Sequence, residues 1–371
     1  MVEQVCFLAI FLSSSLVSLN SYGGTVVAWG SNFKGATTVP EDLTNVMAVS
    51  AGRGASLALK ADGTIVGWGN SEMGLVDAPV GLTNVIAISL GMSNSMALRP
   101  DGNLVVWGYN NFGPVFVPPG LSNIVAMAGT FCESLVLRED GTLLAWGRTA
   151  YGELPGLTVV QTNLVATSQS FSMGGWHGLA LRRDGTVCAW GDNSAGQCDI
   201  PAELTHAIAV TAGNNYSLAL KADGTVVGWG VGYAPPTFEL TNVVAISSSG
   251  GYHIALKADG TLATWGSISV EPPPNLTNVI QVSMGMFHTL ALVGDGPPVR
   301  SAPLTVLQKT GDNLSLSLPT QSGRTYGLEY SDSLNDTNWV PLPLRPGNGA
   351  SQVLDDATAT NASRFYRVIR W

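Results

Sequence analysis

Charged side chains are scarce in this sequence, at 12% of 371 residues, and basic side chains are the scarcer kind. The chain has 17 Lys and Arg against 26 Asp and Glu, which gives a formal net charge of -9 at pH 7. Binding to nucleic acids depends mainly on clustered Lys and Arg that neutralise phosphates. No basic cluster is present, so we expect no nucleic-acid partner.

Motifs for catalysis and for cofactor binding are also missing. The sequence has no glycine-rich phosphate-binding loop, no Gly-x-Ser-x-Gly nucleophile elbow and no His-Glu-x-x-His zinc motif. We therefore expect a protein that is not an enzyme and that holds no cofactor.

The chain has little uninterrupted hydrophobic sequence apart from one stretch near its start, Val5 to Leu19. This stretch is shorter than the roughly 20 residues of a membrane span, but it suits the hydrophobic region of a secretory signal. Glu3 stands where a basic residue is usual. We predict a signal peptide at residues 1–23, hence a secreted or cell-surface protein with no integral membrane span after signal removal. The alternative is a buried first strand.

Cysteine is rare, with four residues in all. Cys188 and Cys198 could pair across one hairpin, which would suit an oxidising compartment. Alternatively, both are small core residues, because Cys188 takes the place of Val66 in another repeat and Cys198 the place of Val76. The alignment favours the second interpretation.

What the sequence has in abundance is a repeat built on Trp-Gly. The first four copies are 39 residues apart, and six of the seven follow an Asp-Gly pair, with the Trp five residues after that Gly. The seven tryptophans are Trp29, Trp68, Trp107, Trp146, Trp190, Trp229 and Trp265. The copy from Leu43 to Pro79 shows an alternating strand, an Asp-Gly turn and a returning strand, which predicts a β-hairpin. No segment has helical spacing, so the fold class is all-β.

Units of three or four short strands cannot bury their own faces, so they must stack, and a period near 40 is typical of propeller blades. We predict a seven-bladed β-propeller at residues 24–296. The chain begins in mid-repeat at Gly24, and the last repeat, Val279 to Val293, has no Trp-Gly after it. The N-terminal strands are therefore expected to complete the last blade and close the ring. Residues 297–371 change character, and their alternation predicts a small β-sandwich-like module.

The run of Leu-Ala-Leu, Asp-Gly-Thr, two apolar residues and Trp-Gly resembles the propellers of the regulator of chromosome condensation family. The stretches at residues 29–40 and 190–197 are most similar to its secreted bacterial branch, which includes a seven-bladed β-lactamase inhibitor protein. The resemblance covers residues 24–296 and implies the fold. The tail resembles a C-terminal module of secreted bacterial proteins, through its Tyr-x-Leu-Glu-Tyr-Ser-Asp-Ser-Leu run and its Phe-Tyr-Arg-Val ending.

The loops between the first and second strands differ most between repeats, and stacking would bring them together on one face. They hold aromatic, Met, His and Glu side chains that are typical of interaction surfaces. One of these loops, within residues 168–175, also carries an insertion. The candidate binding residues are Met92, Phe131, Glu133, Phe171, Met173, Trp176, His177, Tyr216, Tyr252, Phe287 and His288. Alternatively, these side chains plug the channel mouth or pack on the next blade.

Two sets of polar residues look like sites and are expected to be structural. The carboxylates of the Asp-Gly pairs recur in almost every repeat, whereas catalysis would break that symmetry. His177, His253 and His288 lie at similar positions, but His253 is shifted by one residue and should point differently along its strand. We expect no metal. His206 replaces the usual Asn of a Thr-Asn pair and is expected to be exposed.

The leading hypothesis is a non-enzymatic scaffold that binds a protein or glycan partner through the loops of one propeller face. We expect the protein to be a monomer. The alternatives are a carbohydrate-active enzyme at the channel mouth, an inhibitor of a secreted enzyme such as a β-lactamase, and guanine-nucleotide exchange as in nuclear members of the family. A glycosidase needs paired carboxylates, and the divergent loops offer only Glu133. An acidic, exported chain would not suit nuclear exchange.

Overall fold

The computed structural model describes most of the chain between residues 23 and 294 and part of the tail. The described ranges are 23–109, 115–129, 133–149, 152–153, 158–169, 177–182, 184–231, 240–266, 271–294, 306–310, 313–319, 325–331, 340–342, 345–346, 351–356 and 365–370. The predicted signal peptide lies outside them, except for Gly23.

Short strands make up nearly all the regular structure of residues 24–294, together with a 3₁₀ turn at Phe33–Gly35. The strands are β1 (Thr25–Gly30), β2 (Val46–Ala51), β3 (Ala55–Lys60), β4 (Ile65–Gly69), β5 (Ala87–Leu90), β6 (Asn94–Leu98), β7 (Leu104–Gly108), β8 (Ile124–Gly129), β9 (Glu133–Arg138), β10 (Leu143–Thr149), β11 (Gly152–Glu153), β12 (Thr158–Gln161), β13 (Leu164–Gln169), β14 (His177–Arg182), β15 (Val187–Gly191), β16 (Ala207–Ala212), β17 (Tyr216–Lys221), β18 (Val226–Gly230), β19 (Val243–Ser249), β20 (Tyr252–Lys257), β21 (Leu262–Gly266), β22 (Val279–Met284) and β23 (His288–Val293).

Within residues 24–293, the described strands form seven antiparallel sheets. The first six follow the chain, in the orders β2-β3-β4, β5-β6-β7, β8-β9-β10, β13-β14-β15, β16-β17-β18 and β19-β20-β21. The third sheet is extended by β11 and β12, which both pair with β10. The seventh sheet has the order β22-β23-β1, so it combines the last strands of the repeat array with the first. The all-β class is confirmed.

The third strand of each sheet carries the repeated Trp-Gly in a constant register. In the first sheet Trp68 lies opposite Ser56, and Gly69 lies opposite Ala55. The seventh sheet has the same register, although its partners are far apart in sequence: Trp29 lies opposite Thr289. Residues at equivalent positions of the sequence repeat therefore occupy equivalent positions in the sheets.

The Asp-Gly pairs form the turns between the second and third strands. Gly63 has φ +77°, a left-handed conformation that glycine adopts without steric cost. Its carbonyl accepts a hydrogen bond from Val85 N, at the start of the next sheet, at 3.1 Å. In the seventh sheet Gly24 replaces the turn glycine, and it exchanges two backbone hydrogen bonds with Val46 of the first sheet, at 2.8 and 3.1 Å. The same backbone contact recurs at Gly141, Gly185, Gly224 and Gly260, so most of the sheets are joined to their successors in this way at this end.

Apolar clusters between neighbouring sheets form the core. Trp68 of the first sheet packs with Leu290 and Leu292 of the seventh, and Trp107 of the second packs with Leu57 and Leu59 of the first. Burial of an aromatic or Leu side chain contributes about 1.5–3 kcal/mol. The tryptophans therefore stabilise the contacts between sheets.

The described part of the tail forms two further sheets. Their strands are β24 (Val306–Thr310), β25 (Asn313–Pro319), β26 (Thr325–Ser331), β27 (Val340–Pro341), β28 (Arg345–Pro346), β29 (Ser351–Asp356) and β30 (Phe365–Arg370). One sheet has the order β24-β25-β29, and in the other β26 pairs with β27, β28 and β30. Arg345 forms an ion pair with Glu139 of the third repeat sheet.

Candidate binding face

The seven repeat sheets are aligned side by side, so equivalent residues lie at the same end. Ser50 Oγ of the first sheet accepts a hydrogen bond from Leu90 N of the second at 2.9 Å, and Ser283 Oγ of the seventh accepts one from Ala51 N of the first at 3.0 Å. We call the end at which the third strands finish in Trp-Gly the loop face. The Asp-Gly turns lie at the opposite end, the turn face.

Beneath the loop face, a serine and the tryptophan opposite it donate to one backbone carbonyl. In the first sheet Ser56 Oγ and Trp68 Nε1 both donate to Ala36 O, at 3.0 and 2.9 Å. The second sheet repeats this arrangement at Leu75 O, and the fifth at Gln197 O. In these three places the buried donors hold the segment that follows a Trp-Gly against the next sheet.

In four of the repeat sheets the residue at the start of the second strand contacts the neighbouring sheet, and the chemistry of this contact varies. Asn94 Nδ2 donates to Ser134 Oγ at 2.6 Å. His177 Nε2 and Ser217 Oγ are 2.9 Å apart, and His288 Nε2 and Ser56 Oγ are 2.8 Å apart. We call these contacts the His and Asn joints.

A fourth joint is aromatic. Tyr216 meets His253 of the sixth sheet edge to face, with ring centroids 4.6 Å apart, and the imidazole in turn lies 5.1 Å from the ring of Trp265. Tyr216 Oη also accepts a hydrogen bond from Gly251 N at 3.3 Å. Burial raises the pKa of Tyr216 to about 12, so the phenol stays neutral at physiological pH.

All three histidines of this layer are buried. Burial lowers the pKa of His177, His253 and His288 to about 4, against an opposing effect of Asp192 on His177 alone. They are therefore neutral at physiological pH. Among the residues that the structure describes, no three or more His, Cys, Asp or Glu side chains are grouped so that they could hold a metal ion.

The predicted binding residues lie in three kinds of place. Four of them, Phe131, Phe171, Met173 and Trp176, lie outside the described residues. Six are buried between sheets: Met92, Glu133, His177, Tyr216, Tyr252 and His288. Phe287 is the exposed one, at 39%. Burial agrees with the alternative of packing within the protein for these six side chains, and three of them, His177, Tyr216 and His288, form the joints.

Phe287 is accompanied by an aromatic residue that the sequence reasoning missed. Phe33, 44% exposed, meets Phe287 edge to face with ring centroids 5.7 Å apart. Phe33 lies in the 3₁₀ turn after the first Trp-Gly. The predicted binding residues all lie in or beside the loops between first and second strands, so Phe33 was not among them. The available signal was its position directly after a Trp-Gly, at the same end of the sheets.

The aromatic pair, Phe33 and Phe287, is held in place by backbone contacts. Ser31 N donates to Phe287 O at 2.8 Å, and Met286 N donates to Gly52 O at 3.1 Å. A Cβ on Gly54 would lie 2.7 Å from Phe33 Cδ1, so this glycine leaves room for the ring. The two phenyl rings are thus exposed on a fixed support at the seam between the first and seventh sheets.

Two basic residues adjoin the segments that hold this pair. Lys34 follows Phe33 and forms an exposed ion pair with Glu72 at 2.7 Å, while Arg53 is half-buried in the adjacent loop. An exposed ion pair contributes little to stability, about 0–1 kcal/mol. Lys34 therefore remains available to a partner at small cost.

The carboxylates of the Asp-Gly turns lie on the turn face, away from these residues. Asp184 Oδ1 accepts hydrogen bonds from Thr186 N and Oγ1, at 2.9 and 2.7 Å, and these bonds lower the pKa of the carboxyl group. Asp62, Asp223 and Asp259 have the same contacts with the Thr two residues further on. These contacts have the geometry of turns, as the repetition of the motif predicts.

The remaining polar candidates are the two cysteines and His206, and they occupy the positions of ordinary repeat residues. Cys188 and Cys198 are free thiols; Cys188 is buried and lies opposite Ala180, as Val66 lies opposite Ala58. His206 is exposed and has φ +57°, like the Asn residues at its equivalent positions. The described residues contain no apolar helix of membrane-spanning length.

The fold defines an all-β repeat protein of the propeller type, with an aromatic pair on one face. The model of the regulator of chromosome condensation (RCC1) repeat matches residues 47–74 and 169–197. The repeat type inferred from the Asp-Gly and Trp-Gly motifs is thereby supported in two separate parts of the array. No curated protein matches the chain in sequence.

Solved structures share the fold at low sequence identity. Prp20p from Saccharomyces cerevisiae, described with its binding properties to Gsp1p and histones, is 16% identical, with a TM-score of 0.59 over 76% of this chain and 94% of its own. Human WBSCR16 is 18% identical, with a TM-score of 0.58 over 72% and 98%. The CRINKLY WD40 ectodomain of the Arabidopsis thaliana receptor kinase ACR4 is 20% identical, with a TM-score of 0.52 over 68% and 95%.

Proposed function

We propose that this protein is a non-enzymatic binding scaffold that holds a protein partner through its loop face, centred on Phe33 and Phe287. The observation that carries the proposal is the exposure of these two rings on a fixed support. Aromatic side chains supply large contact area, and they are enriched among the residues that dominate binding energy. Because the rings are already positioned by backbone hydrogen bonds, little conformational entropy is lost on binding.

A protein partner fits this site better than a glycan or a nucleic acid. The two rings meet edge to face and form a small exposed apolar surface. The basic residues Lys34 and Arg53 adjoin it in the chain segments that support the rings. Prp20p, which shares the fold, is described as binding the proteins Gsp1p and histones. The charge of this chain, -9, disfavours a polyanion. A glycan remains the alternative ligand class.

The test is capture of a binding partner by the purified protein and by a Phe33→Ala/Phe287→Ala variant. Replacing a central aromatic residue of an interface typically costs about 2 kcal/mol or more, which is about a 30-fold loss of affinity. The same variants applied to a glycan array test the alternative ligand class. Binding of a partner with unchanged affinity by the double variant would contradict the proposed surface.

Phe116 offers a matched control. It is 66% exposed, but it lies in the segment between the second and third sheets, away from the seam. The Phe116→Ala variant removes a ring of the same size and should retain full binding. Thermal unfolding of both variants should differ little from that of the parent, because none of the three rings is buried.

We further infer that residues 24–296 form a seven-bladed propeller closed by β1, with residues 297–371 as a separate β module. Support comes from the antiparallel pairing of β1 with β23 and from the packing of Trp68 against Leu290. We also propose that residues 1–23 direct export. N-terminal sequencing of the protein recovered from the culture medium tests this, and recovery only in the cytoplasm would contradict it.

A finer form of the same function is inhibition of a secreted enzyme such as a β-lactamase. It is supported by the resemblance of the repeats to the secreted bacterial branch and by the aromatic pair on one face. Progress curves of β-lactamase hydrolysis with and without the protein test it, with the Phe33→Ala/Phe287→Ala variant as the control. A carbohydrate-active enzyme receives no comparable support, because Glu133, the one carboxylate that the divergent loops offer, is buried.

A further inference from the structure

Two of the joints below the loop face contain a histidine whose protonation state can be deduced from its neighbours. At the first, Ser217 Oγ lies 2.7 Å from Gln197 O and 2.9 Å from His177 Nε2. A serine hydroxyl has one hydrogen, and a carbonyl oxygen can only accept. The hydroxyl therefore donates to Gln197 O and accepts from the imidazole, which must carry its proton on Nε2.

The second joint has the same geometry. Ser56 Oγ lies 3.0 Å from Ala36 O and 2.8 Å from His288 Nε2, so His288 also carries its proton on Nε2. In both histidines Nδ1 is buried and has no hydrogen-bond partner among the described residues. A second proton would go to this nitrogen, where it would make the ring a buried cation whose new N–H has no acceptor among the described residues.

The charged groups around these rings do not favour a cation. The strands that flank His288 have no ionisable side chain except Lys60 at the far end of β3, and the adjacent loops add the cationic Lys34 and Arg53. Burial is the influence that lowers the pKa of His288.

Around His177 the flanking strands add Arg182 and Lys221 at their far ends, with the neutral Cys188 and Tyr216. In the loop after β15, Asp192 favours protonation, and Asp199 and Cys198 lie further along it. Burial outweighs the Asp192 carboxylate, and the pKa stays low.

We propose that the His177–Ser217 and His288–Ser56 joints are acid-sensitive locks between neighbouring sheets. Each lock holds while the imidazole is neutral and opens when Nδ1 takes up a proton. The Asn94–Ser134 joint has the same place and no ionisable group, so it is the insensitive counterpart within the same molecule. The proposal concerns the stability of the sheet contacts and does not depend on the proposed binding partner.

The direction of the pH effect follows from linkage. The folded-state pKa of about 4 lies below the value of about 6.5 in the unfolded chain, so the unfolded state binds more protons between these values. The stability that the joints contribute is fully present above about pH 6.5 and is lost as the pH falls through 4. At about pH 5 each histidine should lower the folded-to-unfolded ratio by about 30-fold relative to pH 8.

The experiment compares the wild type with a His177→Asn/His288→Asn variant, which copies the Asn94 joint at both places. Denaturant unfolding at about pH 8 and pH 5 should show a smaller loss on acidification for the variant, by up to about 1,000-fold in the folded-to-unfolded ratio. His206→Asn is the matched control, because His206 is exposed and should leave the pH dependence unchanged. Equal pH dependence in the wild type and the double variant would overturn the proposal.

A direct measurement covers the case in which the double variant fails to fold. Nitrogen NMR of the wild type labelled at histidine reports which ring nitrogen carries the proton. We expect Nε2–H for His177 and His288 at about pH 7, and no titration above about pH 5. A proton on Nδ1, or a midpoint near pH 6.5 in the folded protein, would refute the proposed locks.

Discussion

The two ends of the repeat sheets differ in how they join one sheet to the next. At the turn face the same contact recurs: the carbonyl of a left-handed glycine accepts a hydrogen bond from a backbone N–H at the start of the following sheet, as Gly63 O does from Val85 N and Gly185 O from Ala207 N. At the loop face the four joints are of three chemical kinds: amide to hydroxyl, imidazole to hydroxyl in two of them, and tyrosine to imidazole.

This difference indicates which end can change without loss of the fold. The backbone supplies the contacts at the turn face, so they tolerate only the few residues that adopt the turn. Side chains supply the contacts at the loop face, so several pairs fit the same space. Variation in exposed residues such as Phe33 and Phe287 can accumulate above those joints while the turn face maintains the array.

The largest effect is expected from removing the strand that joins the two ends of the array. Deletion of residues 24–40 takes away β1, which forms an edge of the seventh sheet, and Trp29 with it. The seventh sheet would then have two strands, which are marginal alone, and we expect loss of the cooperative unfolding transition. A chain that begins at Gly23 is the control. A sharp transition at an unchanged temperature in the deletion variant would contradict closure by β1.

A smaller effect should follow from adding one methyl group at the turn face. In Gly63→Ala the new Cβ would lie 3.0 Å from the backbone of Asn84, in addition to the strain of a left-handed residue. We expect a loss of about 2–4 kcal/mol in the free energy of unfolding. Gly81 is also left-handed but has nothing within 4 Å of its Cβ, so Gly81→Ala should cost about 1 kcal/mol.

Denaturant unfolding of both glycine variants measures the difference. Equal losses at Gly63 and Gly81 would mean that the contact between sheets at the turn face adds nothing to the strain of the turn.

The smallest effect sharpens the picture of the loop face. Gly178 occupies the place of Ser56 and Ser217, yet the indole of Trp190 lies where its Cβ would be. The substitution Gly178→Ser, which restores the commonest residue of the repeat, should therefore destabilise the protein by about 1–3 kcal/mol. Ser95→Ala should cost less than about 1 kcal/mol, since Leu75 O keeps the hydrogen bond from Trp107 Nε1.

Calorimetry on the two serine-position variants is sufficient for this comparison. If Gly178→Ser instead stabilised the protein, the commonest residue of the repeat would be favoured at this position of the loop face, as it is in the turns, and the expected clash with Trp190 would be wrong.

The sequence predicts the hairpins and the turns because these features depend on local chemistry. It predicts the pairing of β1 with the last repeat because each of the two is an incomplete unit. Asp-Gly-Thr determines a turn, and the incomplete repeats at the two ends of the array complement each other. The surface was harder to predict. A loop residue such as Tyr216 has the composition of an interface residue, but its burial depends on Gly213, which leaves room for its ring. Phe33 was missed because the exposure of its side chain depends on how much of it the neighbouring sheet covers. The sequence of a single repeat does not contain that information.

The pairing of β1 with β23 also brings distant parts of the chain together. Thr25 lies opposite Val293, so the entry to the repeat array and its exit leave the protein side by side at the turn face. The array can therefore be cut and rejoined elsewhere: a circular permutant that links residues 23 and 294 directly and opens at the exposed Val80–Gly81 bend should retain the same sheets. Both ends of the array thus lie at the turn face, at the opposite end of the sheets from the aromatic pair.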